Sequence, residues 1–331
     1  MPRELSLAEI FQLGYYWETK ILLTAVKLDL FSSLNGSPRS SSQLAQDHAL
    51  TDRPLALLLN ALVAMRVLKK EADVYMNTEV AQRYLVKSQE EYVGHLLLLH
   101  DAEWENWGKL EETIRTGRSP VSRHVFETDP DMGVNVLSVL HRIGRESGPS
   151  LAKRMQLDGA NSLLDVGGGA GTNAIACCQE YPELTATVFD LPSTLKMTEA
   201  VIRKVGLESR IRTLAGNFHV DDFKGPYDAA LMSDILHYQD GEVNATLVAK
   251  IFQSLSPGGQ LVIKDRFLDP SGTSPAWTTA FAVHIMVNTE QGQCFTTQEA
   301  MRWLRDAGFR DVHELEPCAV VQGRKPMEGG I

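Results

Sequence analysis

The sequence has little of what marks a secreted, zinc-binding or nucleic-acid-binding protein. Its 331 residues include only four cysteines and no C-x-x-C pair, so neither a disulfide framework nor a structural zinc site is expected. The formal net charge of −10 argues against nucleic acid or an anionic membrane as the main partner. No apolar run approaches the roughly 20 residues of a membrane span, and the first residues do not begin a signal peptide. We expect a cytoplasmic protein.

A cluster of glycines after a short apolar run is the most informative stretch. Leu163, Leu164 and Val166 predict a buried strand, which ends at three consecutive glycines, Gly167 to Gly169. A helical pattern follows directly. Strand, glycine turn and helix in this order are typical of the nucleotide-binding corner of an open α/β sheet. There the backbone turns tightly and approaches a ligand closely.

The spacing of the glycines indicates which nucleotide is bound. A dinucleotide site requires G-x-G-x-x-G, whereas Gly167, Gly169 and Gly171 form G-x-G-x-G and Thr172 occupies the sixth position. Asp165 precedes the turn, and its carboxylate would repel a pyrophosphate but suits a ligand that carries an ammonium group. The stretch therefore favours S-adenosylmethionine over NAD, with a turn that binds no ligand as the alternative.

Strand and helix patterns alternate from residue 162 onward, which predicts a parallel, doubly wound sheet. Ligands of such sheets bind at the carboxyl ends of the strands. Asp190 follows the second strand, where a carboxylate can accept hydrogen bonds from both ribose hydroxyls of a nucleoside. Asn217 and Phe218 follow the third strand and are predicted to contact the adenine amino group and ring.

His237 follows the fourth strand and is the predicted general base. Asp265 follows the fifth strand and is predicted to hold the imidazole Nδ1–H, which leaves Nε2 free. A phenol with a pKa of about 10 is a poor nucleophile at neutral pH, and a positioned imidazole can take its proton as the methyl group moves. The alternative is a histidine with a structural role.

The N-terminal part has helical patterns followed by two short strand patterns, at 67–68 and 74–76, an order typical of a winged helix. Winged helices often bind DNA through a polar, basic helix. Here the helix that starts at Pro54 is apolar nearly all round over 55–65, which predicts burial against a partner subunit. Subunit pairing is the favoured interpretation, and a ligand-sensing DNA-binding regulator is the alternative.

Four motifs resemble those of the class I, S-adenosylmethionine-dependent O-methyltransferases of the plant caffeate and acetylserotonin methyltransferase type, which has many bacterial relatives. They span residues 163–172, 188–192, 235–237 and 256–263. The resemblance implies a Rossmann-like methyltransferase domain, whose doubly wound, mostly parallel sheet ends in an antiparallel hairpin. It also implies a mainly α, winged-helix-like N-terminal domain that pairs two copies into an intertwined homodimer.

The resemblance places the general base at His237 and one of two supporting glutamates at Asp265. No metal site is predicted, because the spacing of histidines and acidic residues matches no metal motif. The predicted cofactor-binding positions, from the strand ends and the resemblance together, are Asp165, Gly167, Gly168, Gly169, Asp190, Leu191, Asn217, Phe218 and Ser233.

The chain departs from the family pattern at several positions. Cys294 stands where the family has the second supporting glutamate, and Tyr238 follows the histidine where the family has an aspartate. Asn217 replaces an adenine-binding aspartate, and Ser233 replaces a cofactor-contacting lysine. These departures leave two alternatives open: methylation of carbon, or a reaction of the bound cofactor other than methylation.

The predicted organisation is a winged-helix-like dimerisation domain over 1–95 and a methyltransferase domain over 96–331. Linking helices would occupy 96–156, and the Rossmann-like core would occupy 157–331. One helix is predicted over 91–117, across the boundary between the two domains.

The predicted function is transfer of a methyl group from S-adenosylmethionine to a hydroxyl group of a small, aromatic acceptor. The acceptor pocket is predicted to include His284, Met286 and Cys294. The expected partners are the small-molecule acceptor and a second copy of the chain, with no nucleic acid and no membrane.

Overall fold

A computed structural model describes residues 4–121 and 129–327. The chain divides into two compact units, Met1–Trp104 and Glu105–Ile331, and each has a hydrophobic core of its own. The domain boundary that the sequence suggests, between residues 95 and 96, stays a prediction. Within the two described ranges, no helix is both long and apolar enough to cross a membrane.

Short helices and a small antiparallel sheet make up the first unit. Its strands β1, β2 and β3, in the sheet order β1-β3-β2, span Arg39–Ser40, Leu68–Glu71 and Val74–Asn77. Its helices α1 to α7 span Leu7–Leu13, Trp17–Lys27, Leu30–Ser33, Ser41–Asp47, Asp52–Ala64, Glu79–Tyr84 and Gly94–Ala102. Helix α8, Trp104–Trp107, lies at the division between the two units.

Complete capping boxes set two of these helix starts. Ser6 accepts a hydrogen bond from the backbone of Glu9 at 3.4 Å, and Ser40 accepts one from the backbone of Gln43 at 3.2 Å, and both pairs form complete capping boxes. Helix α5 then leads into the antiparallel hairpin of β2 and β3. The expected order of helices followed by a hairpin is therefore present, and assignment to the winged-helix class stays a prediction.

The core of the first unit leaves some apolar surface uncovered. Leu30, Phe31 and Tyr75 are almost fully buried in it. Helix α5 contributes only one face, because Leu59 is buried while Leu57 is 64% exposed. Helix α1 has no buried residue at all.

A buried carboxylate joins helices α2 and α7. Asp101 is 8% exposed and accepts hydrogen bonds from Lys20 at 2.6 Å and from Lys27 at 2.7 Å. Hydrogen bonds from the two ammonium groups hold the pKa of this carboxyl below its usual range. The pairing stabilises contact between helices that lie far apart in the sequence.

A seven-stranded sheet forms the centre of the second unit. Its strands β4 to β10 span Ser162–Val166, Thr185–Asp190, Ile211–Ala215, Tyr227–Ser233, Leu255–Lys264, Arg310–Glu316 and Val320–Arg324. Its helices α9 to α15 span Leu110–Thr116, Pro130–Met155, Thr172–Glu180, Pro192–Lys204, Gly241–Ser254, Ala276–Asn288 and Thr297–Asp306. A short 3-10 helix spans Leu236–Tyr238.

The strand order is β6-β5-β4-β7-β8-β10-β9. The first five of these strands run parallel, and β10 pairs antiparallel with both β8 and β9. This confirms the predicted doubly wound, mostly parallel sheet with a terminal antiparallel hairpin. The order reverses at β4, which has β5 on one side and β7 on the other, and ligands of open sheets bind at such a point.

Side chains of β4 alternate between two cores, one on each face of the sheet. Leu164 and Val166 pack in the core that includes α13 and α15. Leu163 packs in the core that includes α10, α11 and α12. Because apolar side chains cover both faces, the sheet is open to ligands only at its edges and strand ends.

The continuous helix predicted over 91–117 is wrong. The structure has three short helices there, α7, α8 and α9, with breaks at Glu103 and at 108–109. Gly108 lies in the second break, where its conformational freedom weakens a helix. Apolar periodicity continues across both breaks, so the pattern alone does not reveal them.

Replacement of Asp101 is expected to destabilise the first unit in a pH-dependent way. Its folded-state pKa is lowered, so its contribution is full above the unfolded value of 3.8 and is lost as the pH falls below it. The lysines are 39% and 67% exposed, and solvent screens part of the attraction. We expect Asp101→Asn to lower the free energy of unfolding by about 1–2 kcal/mol at pH 7.

Urea unfolding followed by circular dichroism at pH 7 and at pH 3.5 measures this difference, with the exposed turn variant Asp73→Asn as control. The difference should shrink at the lower pH. An equal loss at both pH values would show that the ion pairs do not carry the effect.

Candidate active site

The ends of β4, β5, β6, β7 and β8 meet at one edge of the sheet, because parallel neighbours end side by side. The glycines, the acidic residues and the histidine that the sequence analysis singles out lie at or just after the ends of these strands. The structure brings the predicted base and its supporting carboxylate into contact there. It also places three candidate residues of the acceptor pocket on or after α14.

The glycine turn after β4 has no room for side chains at Gly167 and Gly168. Gly167 has a φ of +64°, and a Cβ there would lie 2.9 Å from Cγ2 of Ile235. A Cβ on Gly168 would lie 2.7 Å from Cγ of Asp165. The bare backbone is therefore required for packing, and it leaves peptide groups accessible to a ligand at the start of α11.

Asp190 organises the turn from the neighbouring strand. Its Oδ2 accepts a hydrogen bond from the backbone N–H of Gly169 at 2.8 Å, and its Oδ1 accepts one from Leu191 at 2.7 Å. Burial raises the pKa of the Asp190 carboxyl. Each carboxylate oxygen has a further lone pair, so the group can also accept hydrogen bonds from a diol.

Asp165 lies beneath the turn. It is fully buried, its Oδ2 accepts a hydrogen bond from the backbone of Ala174 at 3.3 Å, and its Oδ1 has no hydrogen-bond partner among the described residues. Burial raises the pKa of Asp165 to about 7. The carboxyl therefore changes its charge near neutral pH, directly under the backbone that a ligand would approach.

Asn217 and Phe218 follow β6. The Oδ1 of Asn217 accepts a hydrogen bond from the backbone of His219 at 2.9 Å, so the side chain supports its own turn. Phe218 is half-buried and packs against the core below it. The predicted contacts of these two residues with an adenine stay predictions.

Ser233, at the end of β7, belongs to a polar cluster. Its hydroxyl donates to Oδ2 of Asp234 at 2.9 Å, and Lys264 of the neighbouring strand forms an ion pair with the same oxygen. Burial raises the pKa of Asp234, but the Lys264 ammonium outweighs this effect and holds the pKa below its usual range. An ammonium group is therefore present beside Ser233, on the neighbouring strand.

His237 lies in the 3-10 helix after β7 and is 3% exposed. Its Nδ1 lies 2.7 Å from Oδ1 of Asp265. The carboxylate also accepts hydrogen bonds from the backbone of Leu236 at 2.9 Å and of Arg266 at 2.7 Å. These bonds fix the carboxylate, which in turn orients the imidazole, as the sequence predicts.

Gly292 is a residue of the site that sequence reasoning missed. A Cβ there would lie 2.4 Å from the carbonyl oxygen of His237 and 2.3 Å from Oγ1 of Thr289. Only glycine allows the segment after α14 to pass so close to the 3-10 helix. A glycine that separates two glutamines is a weak signal of this contact in the sequence.

One face of α14 forms an aromatic wall beside His237. The Phe281 ring meets the imidazole edge-on, with ring centroids 5.1 Å apart. Trp277 and His284 stack on either side of Phe281, at centroid distances of 4.9 and 5.7 Å. Trp107 packs near His284 at 6.2 Å. The spacing 277, 281, 284 signals this face, because residues three and four apart are neighbours on a helix.

Cys294 is half-buried. Burial raises the pKa of its thiol to about 12, with a further contribution from Asp265. The thiol is therefore neutral at physiological pH and cannot replace a second carboxylate. Met286 is half-buried on α14, and its place in the acceptor pocket stays a prediction.

S-adenosylmethionine fits these residues. The turn at Gly167 and Gly168 leaves the backbone open, Asp190 offers acceptor lone pairs, and Lys264 lies at the neighbouring strand end. Within the described residues, no group of three or more histidine, cysteine, aspartate or glutamate side chains is arranged to hold a metal ion.

Two family models match the chain. One, described as an O-methyltransferase domain, matches residues 107–310, and the other, described as an O-methyltransferase dimerisation domain, matches residues 11–87.

Curated relatives and solved structures match along almost the full length. The tetracenomycin polyketide synthesis 8-O-methyl transferase of Streptomyces glaucescens is 31% identical, over 94% of this chain and 94% of that protein. The 3-hydroxy-5-methyl-1-naphthoate 3-O-methyltransferase of Streptomyces sahachiroi is 30% identical, over 90% of this chain and 88% of that protein. Human N-acetylserotonin methyltransferase in complex with SAM has the same fold, with a TM-score of 0.82 and 22% identity over 99% of this chain and all of that one.

The buried carboxyl of Asp165 is expected to make stability depend on pH. Its folded-state pKa of about 7 lies above the unfolded value of 3.8, so its contribution is full below the lower value and is lost as the pH rises through the higher one. Asp165→Asn does not titrate. Between pH 5 and pH 8 its free energy of unfolding should therefore improve relative to the parent by about 2 kcal/mol.

Chemical denaturation of both proteins at the two pH values provides the measurement, and Asp158→Asn, at an exposed position, serves as the control. A difference that does not change with pH would show that the Asp165 carboxyl keeps the same charge throughout this range.

Proposed function

The chain belongs to the O-methyltransferase family, and we propose that it methylates a hydroxyl group of a small aromatic acceptor with His237 as the general base. The enzyme depends on S-adenosylmethionine. The observation that carries the proposal is the buried contact between Nδ1 of His237 and Oδ1 of Asp265 at 2.7 Å. It leaves Nε2 for the acceptor.

Bound S-adenosylmethionine supplies an electrophilic methyl group. The protein would hold it through the open backbone at Gly167 to Gly169 and through Asp190, whose oxygens suit the two ribose hydroxyls. Lys264, beside Ser233, offers positive charge to the carboxylate of the methionine part. These contacts would orient the methyl group towards the acceptor, which lowers the entropic part of the barrier.

His237 would remove the proton of the acceptor hydroxyl as the methyl group arrives. A phenol holds its proton at neutral pH, and an imidazole is the side chain best suited to accept it there. Asp265 would fix the tautomer with Nδ1 protonated and stabilise the imidazolium that forms. Asp265 would therefore act by orienting the imidazole and by placing a carboxylate beside it.

The aromatic acceptor is supported by the side chains beside the base. The Phe281 ring lies beside His237, and His284 and Trp107 continue the row of rings away from it. Flat rings gain from offset stacking on such surfaces. The Streptomyces sahachiroi relative is named for a hydroxynaphthoate acceptor, which has the same character.

Methylation of carbon is the second candidate. Cys294 favours it, because its neutral thiol leaves the base with a single carboxylate where the family pattern has two. A strongly acidic carbon acceptor needs less help from a base. Product mass combined with the site of a labelled methyl group separates an ether from a carbon–carbon bond.

His237→Gln is expected to abolish most turnover without affecting the cofactor. The rate on a phenolic acceptor should fall about 10²- to 10⁴-fold, the usual worth of a general base. Binding of S-adenosylhomocysteine, measured by calorimetry, should stay within about threefold, because no cofactor position is altered.

His313→Gln, at an exposed position on β9, is the matched control and should leave both quantities unchanged. Full turnover of His237→Gln would exclude the base assignment. Failure of the parent to bind S-adenosylhomocysteine would contradict the cofactor site itself.

We also propose a homodimer formed through the first unit. Helix α1 has no buried residue. Its apolar side chains are exposed to solvent, to between 55% and 78%, at Leu7, Ile10, Phe11 and Leu13. The three aromatic residues that follow, at positions 15–17, are also exposed. Such a cluster of exposed apolar and aromatic side chains is typical of a surface that pairs with another chain.

Phe11→Glu is expected to weaken the dimer, because a charge would be buried in an apolar contact. Sedimentation velocity at micromolar concentration should show a shift towards monomer. Gln12→Glu introduces the same charge one residue away on an exposed polar position and should leave the dimer intact. A parent protein that sediments as a monomer would refute the proposal.

A further inference from the structure

Two cationic side chains, Lys264 and Arg266, lie where β8 ends, and only one of them has an anionic partner. Lys264 pairs with Asp234, while the nearby carboxylate of Asp265 is in contact with His237. The guanidinium of Arg266 makes no ion pair and no hydrogen bond with any described residue. This contrast is notable in a chain with ten more acidic than basic side chains.

The Arg266 guanidinium is held by aromatic rings. Its Cζ lies 4.4 Å from the ring centroid of Trp277 and 5.1 Å from that of Phe281. Stacking on ring faces restrains the group but does not use its N–H bonds, which point outward in the guanidinium plane. The side chain is half-buried, so its charge is only partly screened by solvent. It is therefore held in place with its hydrogen-bond donors available.

Arg266 is close to the base as well as to the aromatic wall. Its backbone N–H donates to Oδ1 of Asp265, and Phe281 contacts both the guanidinium and the His237 ring. Its positive charge also reaches the carboxyl of Asp234, where it adds to the effect of Lys264 in lowering the pKa, and the thiol of Cys294, where it opposes the rise in pKa that burial causes. An anion bound to Arg266 would thus lie about one aromatic ring away from the imidazole.

We propose that Arg266 binds a carboxylate of the acceptor, so that the acceptor is a flat aromatic acid that carries the hydroxyl group to be methylated. The inference rests on the proposed function and adds the class of acceptor. The ring system would extend the stack of Trp277, Phe281 and His284. The carboxylate would meet the edge of the guanidinium, whose paired N–H bonds match two carboxylate oxygens.

The acidic surface of the chain gives this arrangement selectivity. The net negative charge of the chain disfavours an anionic acceptor in general, whereas the guanidinium of Arg266 attracts one locally. A neutral phenol can stack on the same rings but leaves the Arg266 donors bonded to water alone. The acid should therefore bind more tightly than its uncharged analogue.

Three acceptors with one ring system test the carboxylate: a hydroxynaphthoic acid, its primary carboxamide, and the naphthol that lacks the group. Their binding to the full-length protein saturated with S-adenosylhomocysteine is measured by calorimetry, and methyl transfer is measured in parallel. The variants are Arg266→Gln, Arg266→Lys and, as a matched control at an exposed position of α15, Arg302→Gln.

The parent should bind the acid more tightly than the carboxamide. Arg266→Gln should weaken binding of the acid about 10- to 100-fold, the usual effect of losing a charge-assisted hydrogen bond, and should weaken the carboxamide far less. Arg266→Lys should recover part of the affinity for the acid. Arg302→Gln should match the parent.

Equal losses for acid and carboxamide in Arg266→Gln would assign the arginine to helix packing and overturn the anion site. A parent that methylates the naphthol or the carboxamide but does not favour the acid would overturn it too, while the proposed function would stand. Binding and methylation of none of the three would count against both the anion site and the proposed class of aromatic acceptors.

Discussion

The hydrogen bond between His237 and Asp265 is the contact on which the active site depends. It joins the loop after β7 to the end of β8, and both partners are almost fully buried. A buried carboxylate is stable only when its oxygens accept hydrogen bonds, and here the imidazole and two backbone N–H groups supply them. The tight passage of Gly292 against His237 serves the same end, since it holds the 3-10 helix in place.

Three consecutive residues at the end of β8 act in three different directions. Lys264 pairs with Asp234 towards the glycine turn, Asp265 holds the base, and Arg266 stacks on the aromatic face of α14. The end of a central strand makes this arrangement possible, because successive side chains point to opposite faces and the chain then leaves the sheet. The proposed cofactor contact, base support and acceptor contact therefore come from one short segment.

Much of the fold and part of the site can be predicted from the sequence. The strands at 162–166 and 227–232, the helix at 276–288 and the glycine turn follow from local patterns that each segment carries by itself. The broken helix over 91–117 was mispredicted because apolar periodicity continues across its breaks. Phe281, Gly292 and Arg266 were missed, since none of them belongs to a motif and each matters through a neighbour distant in sequence.

The sequence by itself determined the alternation of strands and helices, the glycine turn and the candidates at the strand ends, because backbone preference and hydrophobic period are local properties. Only the tertiary structure decided which candidates meet. Asp265 reaches His237 across 28 positions, Lys264 stands beside Ser233, and Arg266 is left without a carboxylate. The physical reason is that strand order and helix packing set distances between side chains, and no local pattern encodes those distances.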